Sequence, residues 1–209
     1  MARVMARVMA RVMARAMAHA MAHGRVSQRG FAIDRTDHHF TTYGKTQARH
    51  SMKLREIVVE KAIIPNLVAV KREDVVKELL DALVASGKVS ADMRDQFAKA
   101  IIARENKGST GLNHGVAIPH TKSAAVHTPM AAIGVSRGGV DFNSLDKQPV
   151  YSIFLLLSPE EKPELHLDAI QAIFSHLSKD QFRRFLRQAS SVKEVLTLLD
   201  EADAGQVGA

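Results

Sequence analysis

Apolar and polar positions change rhythm at residue 52. Before it, Met-Ala-Arg-Val occurs three times, then decays through Met13-Ala14-Arg15-Ala16 and Met17-Ala18-His19-Ala20 into a polar segment without pattern. A four-residue period drifts around a 3.6-residue helix, so it builds no core-facing stripe. From Met52 onward the pattern is that of a folded domain. Met52 to Val58 predicts a short opening helix, and Asn66-Leu67-Val68-Ala69-Val70 a strand. Val75, Val76, Leu79, Leu80, Leu83 and Val84 recur at helical spacing until Gly87. Ser90 is a fitting N-cap for a second helix carrying Met93, Phe97, Ala100 and Ile101 on one face.

The next stretch, Gly111-Leu112-Asn113-His114-Gly115-Val116-Ala117-Ile118-Pro119-His120-Thr121-Lys122, holds a short apolar strand between glycine-bearing turns. Proline disfavours continuation of regular structure, so the strand Val116 to Ile118 is predicted to stop at Pro119 and to present His120 at its tip. Ala131 to Val135 and Val150 to Leu157 read as strands, the second apolar enough to be central. Gly138-Gly139 and Asp141 to Ser144 mark turns between them. A helix follows with Pro163 in its first turn and His166, Ile170, Ile173 and Leu177 on one stripe. Asp180 to Gln188 predicts a short helix, and Ser191 caps a last one. The mixture predicts an α/β sandwich around one sheet. The predicted organisation is a basic leader over residues 1–51, a domain over 52–202 and a flexible tail over 203–209.

Composition changes this picture in two places. The chain of 209 residues contains no cysteine, which excludes disulfides, thiolate metal sites and a cysteine nucleophile and is compatible with a reducing compartment. The net charge of +7 is a property of the leader. Residues 1–51 hold nine Lys/Arg and two Asp/Glu, which leaves twenty of each sign in residues 52–209. A neutral domain gives no reason to expect a nucleic-acid partner. The leader reads as a translated repeat or an expression extension upstream of Met52, against the alternative of a basic arm or targeting peptide. No apolar run approaches the roughly 20 residues that span a bilayer, so direct membrane insertion is not expected.

Candidate chemistry centres on histidine. His120 follows Pro119 where strand packing requires no titratable ring, and His166 lies in the first turn of a helix, where free N–H groups and a partial positive charge favour an anion. His166 reads equally as a core histidine. His114, His120, His127, His166 and His176 lack the spacing of a zinc site, and no metal or other cofactor is expected. Gly134-Val135-Ser136-Arg137-Gly138 matches the G-x-S-x-G nucleophile elbow literally. A second glycine turn follows it where the elbow needs a helix, so a turn at the strand end is the better reading. There is no G-x-x-x-x-G-K-[ST] loop for a nucleotide, so a phosphoryl donor, if there is one, would be a protein-borne phosphohistidine and not ATP.

Three segments carry a resemblance: Arg104 to Gly111, Gly115 to His120 and His166 to Ile170. Over residues 52–202 the chain resembles the enzyme IIA domain of the bacterial phosphoenolpyruvate-dependent phosphotransferase system, of the fructose/mannitol and nitrogen-regulatory type. The resemblance implies a mixed parallel/antiparallel sheet flanked by helices and a cytoplasmic phosphotransferase. By it, His120 is the phosphoryl acceptor, in the tele form, with His166 and Arg104 stabilising the phosphoryl group. Ser109, Thr110 and Thr121 are supporting candidates. The donor it implies is a histidine phosphocarrier protein, and the acceptor a IIB transporter component. An alternative is a nitrogen-type regulatory module whose phosphorylation state controls binding to transporters, kinases or transcription factors. Thr121, where many relatives have glycine, and Asn113-His114, where relatives often have Gly-Asn, depart from the family pattern beside the site.

Overall fold

A computed structural model describes residues 52–112 and 114–207; the leader over 1–51, Asn113 and the last two residues lie outside the described residues. The chain enters through α1 (Leu54–Ile57) and passes directly into β1 (Val58–Ile64). Two helices follow, α2 (Arg72–Ala85) and α3 (Arg94–Lys107), the second preceded by a 3-10 turn, Ala91–Met93. Gly87 ends α2 as expected: Lys88 N–H donates to the carbonyl of Leu83 and Gly87 N–H to that of Val84, a Schellman closure. Three short strands come next: β2 (Gly111–Leu112), β3 (Val116–Ala117) and β4 (His120–Ser123). The long strands β5 (Met130–Val140) and β6 (Val150–Pro159) complete the sheet. The chain closes with α4 (Pro163–Leu177), α5 (Asp180–Gln188) and α6 (Val192–Asp203).

The six strands form one mixed sheet in the order β1-β5-β6-β3-β2, with β4 also on β6. Strands β1 and β5 are parallel, β5 and β6 antiparallel, and β3 and β4 both run parallel to β6. Period-two alternation divides the core. Ile133, Phe154 and Leu156 face α1, α4, α5 and α6, whereas Ala132, Ile153, Leu155 and Leu157 face α2 and α3. Because both faces are covered, β6 reads as a continuous apolar run.

Three expectations change. Asn66 to Val70 forms no strand: Val68 and Val70 are exposed, and Glu78 accepts from the backbone N–H groups of Val68 and Ala69. The ladder partner of β5 is the preceding Val58–Ile64, an edge strand that tolerates the exposed Glu60-Lys61 pair at a register irregularity. Gly138-Gly139 is an interruption within β5, since Val140 still pairs with Val150. Ser136 of the elbow-like motif is buried in the same strand, where its Oγ accepts from Gly139 N–H. Residues 203–207 pack against the domain. Asp203 accepts from the N–H groups of Leu54 and Arg55, Val207 is buried, and its carbonyl accepts from Lys179 Nζ.

Candidate functional site

The strand ending at Ala117 does not leave His120 at a free tip. Ile118 and Pro119 form a two-residue break, and His120 then opens β4 opposite Leu156 of β6. The break turns the Ile118 carbonyl toward the imidazole, where Nδ1 lies 2.7 Å from it. A carbonyl only accepts, so Nδ1 carries the proton and the lone pair of neutral His120 resides on Nε2.

His166 reaches the same place from the other side of the loop after β6. Pro163 stands at the start of α4, and His166 lies in the first turns of that helix, buried. The two imidazole centroids are 5.4 Å apart and tilted by 51°. Burial is the main force holding both rings neutral. His120 titrates below the ordinary imidazole value; the Ile118 hydrogen bond works against this, and the charges of Arg104 and Lys122 add to it. His166 is pushed down to about 4 by burial, then by Lys122, His120 and Arg104. Neutral imidazole is the form that can attack phosphorus or donate without repelling its partner.

Arg104, in the last turn of α3, donates through Nη1 to the carbonyl of Gly108. Its charge is felt by both rings, yet among the described residues it has no hydrogen bond to either. The next residue, Glu105, is buried and accepts from Thr110 N–H, closing the loop from α3 to β2. Ser109 gives its one hydroxyl proton to the Phe142 carbonyl and accepts from Gly111 N–H, so both of its roles are occupied by the backbone. Thr110 Oγ1 is buried without a hydrogen-bond partner among the described residues. Thr121 Oγ1 lies 3.5 Å from the Lys122 carbonyl.

Two residues at this site escape sequence reasoning. Lys122 stands two positions after His120 on β4, hence on the same strand face, and its charge acts on both histidines. The i, i+2 spacing could have revealed it once β4 was recognised as a strand. Ser158, buried at the end of β6, has its Oγ 2.7 Å from His166 Nδ1 and 3.4 Å from the Thr121 carbonyl. A hydroxyl donates and accepts at once, so Ser158 bridges the Thr121 carbonyl and His166 Nδ1 and fixes the position of the ring. No local signal marks this serine, because its partner is eight residues away across a turn. In Ser158→Ala, the ¹⁵N shifts of His166 are expected to change while those of His120 stay in place.

These shifts carry a sign for folding. An unfolded chain protonates histidine near pH 6.5, whereas native His166 resists to about 4. Above pH 6.5 both states are neutral and the contribution to stability is complete. As pH falls from 6.5 toward 4, the unfolded state binds protons that the native state refuses, and stability drops. Urea midpoints measured at pH 7.5 and pH 5 are expected to differ more in the parent chain than in His166→Gln. The difference that remains includes the contributions of His120 and His176, which burial also shifts downward.

A mixed α/β sheet domain here sets two imidazoles 5.4 Å apart under the field of two cations, an arrangement chemically suited to an anionic group. Residues 56–202 match the family model described as "Phosphoenolpyruvate-dependent sugar phosphotransferase system, EIIA 2", and the chain belongs to this family. It is 33% identical over 152 residues to the fructose-specific EIIABC component of Bacillus subtilis, covering 73% of this chain but 24% of that protein. Against the nitrogen regulatory protein of Pseudomonas aeruginosa the identity is 30% over 155 residues, covering 74% of this chain and 99% of the relative. Among solved structures, the nitrogen regulatory protein IIA-Ntr of Neisseria meningitidis superimposes with a TM-score of 0.62 at 31% identity, over 69% of this chain and 97% of that one. The chain therefore spans about a quarter of a multidomain relative and nearly all of a single-domain one. Among the described residues, no helix is long and apolar enough to cross a membrane.

Proposed function

We propose that this chain is a phosphoryl carrier that receives its group on His120 Nε2 from the phosphohistidine of a small carrier protein. The observation that carries the reading is the hydrogen bond from His120 Nδ1–H to the Ile118 carbonyl, which leaves Nε2 as the nucleophile. The Nε2 lone pair forms the new N–P bond as the donor's N–P bond breaks, and that electron pair returns to the donor imidazole. Nδ1 keeps its proton, so the charge arising on the ring is met by the carbonyl dipole. A protonated ring is also the better leaving group for onward transfer.

The surrounding groups supply positioning and charge, the main demands of phosphoryl transfer. His166 hydrogen-bonds a phosphoryl oxygen, Arg104 and Lys122 offset its negative charge, and Thr110 offers a further hydroxyl. Ser109 supports the loop. Leu167, exposed beside His166, gives a carrier protein an apolar contact that excludes water from the bound group.

The acceptor in this reading is a IIB transporter component, in keeping with the fructose-specific relative. A regulatory module, binding its targets according to phosphorylation state, is the second reading; what favours it is the near-complete coverage of the nitrogen regulatory protein. Incubation with phosphoenolpyruvate, enzyme I and the histidine phosphocarrier protein, followed by intact-mass measurement, tests the carrier role. One acid-labile phosphoryl group is expected, and an unchanged mass would refute it. Transfer onward to a IIB component separates the relay from the regulatory module, which would instead capture different partners in its two phosphorylation states.

A further inference from the structure

The turn at His114-Gly115 and the irregularity of β5 at Gly138-Gly139 take no part in the histidine site, yet they meet around one side chain. Tyr151, at the start of β6, is gripped between two glycines. A Cβ on Gly115 would come within 2.7 Å of Tyr151 Cδ2, and one on Gly139 within 2.7 Å of Pro149 and 3.1 Å of Tyr151 Cε1. Both glycines have positive φ, and the Gly115 carbonyl accepts from Tyr151 N–H at 2.7 Å. The ring is thus a fixed wall, and Arg187 of α5 lies over its face, 3.5 Å from guanidinium carbon to centroid.

This wall lines a hollow of about 850 Å³, in the size range of small-molecule sites. Arg137, Arg183, Arg184 and Arg187 line it, against two carboxylates, Asp146 and Asp180. Arg183 is held by Asp180 and donates to the Leu177 carbonyl. Asp146 accepts from the backbone N–H of Gln148, in its own turn. Among the described residues, the guanidiniums of Arg137, Arg184 and Arg187 make no hydrogen bond or salt bridge, and the one carboxylate that feels any of them is Glu194, through the charge of Arg137. Like charges gathered in one concavity repel, and a guanidinium stacked on an aromatic face keeps its N–H edge free to grip an anion through two hydrogen bonds.

The geometry points to a second binding site, in which this arginine cleft takes a small molecule bearing two or more phosphate groups. The concave shape favours a compact ligand over an extended one, and the excess of two positive charges matches a ligand with at least two negative ones. Tyr151 lies five residues before Leu156 on β6, about 16 Å away at the rise of a strand, so the cleft is separate from the histidine pair.

Inorganic pyrophosphate, titrated calorimetrically into the full chain at low salt without divalent cations, is the probe. One-to-one binding is expected, weakened tenfold or more in Arg137→Gln/Arg187→Gln and in Arg184→Glu. All three arginines are exposed, so the variants are expected to melt as the parent does. Arg187→Lys, which keeps the charge but loses the planar fork, is expected to fall between. The basic leader also attracts polyanions, and cleft substitutions leave it untouched. Equal affinity in parent and variants, or no binding at millimolar pyrophosphate, would overturn the proposal. Tighter binding of a hexaglutamate peptide than of pyrophosphate would overturn it in favour of an acidic protein segment.

Discussion

His120→Ala is expected to abolish phosphoryl uptake while leaving the domain folded. The imidazole is half-buried at the start of a short strand, and its hydrogen bond to Ile118 is local, so its loss removes little of the core. The neighbouring histidine is not set to take over. His166 is buried, and its Nδ1 is engaged by Ser158. The check is intact mass after incubation with the phosphorylated carrier protein, beside a thermal melt. A full phosphoryl adduct on a folded variant would remove His120 from the mechanism.

His166→Ala is expected to separate uptake from delivery. His120 keeps both its orientation and its nucleophilic nitrogen, so it is still labelled. The transition state of onward transfer loses a donor aimed at a phosphoryl oxygen, a class of interaction whose removal typically slows a step by about 10²–10³. Truncation also leaves Ser158 Oγ facing the vacated space, so the variant is less stable as well. His166→Gln, with an amide donor of similar reach, is expected to recover part of the rate. Single-turnover transfer measured by quench-flow reads the effect, and onward transfer at the parent rate in His166→Ala would make that histidine a core residue only.

The chain's helices were legible because their burial follows the 3.6-residue period; Val75 to Leu83 and the Ser191 cap stand where the pattern puts them. The edge strand was not. Val58 to Ile64 carries the exposed Glu60 and Lys61 at its centre, at an irregularity of an edge strand, and edge position is a property of topology. Asn66 to Val70 looked more like a strand because it is apolar, but it runs over the surface with Val68 and Val70 exposed. At the site, Pro119 correctly marked a break before His120. That a second strand begins at His120 depends on its pairing with Leu156, 36 positions away and invisible to local pattern. The pairing of His120 with His166 likewise came from family resemblance. Ser158 could not be read at all: its importance lies in one 2.7 Å contact across the β6–α4 turn.

The attachment point of the phosphoryl group tests the central claim most directly. In a ¹⁵N-histidine-labelled chain phosphorylated by the carrier protein, ³¹P–¹⁵N coupling identifies the bonded nitrogen. The expected result is coupling to Nε2 of His120, with Nδ1–H still donating to Ile118. Coupling to Nδ1, or to any other histidine, would contradict the account.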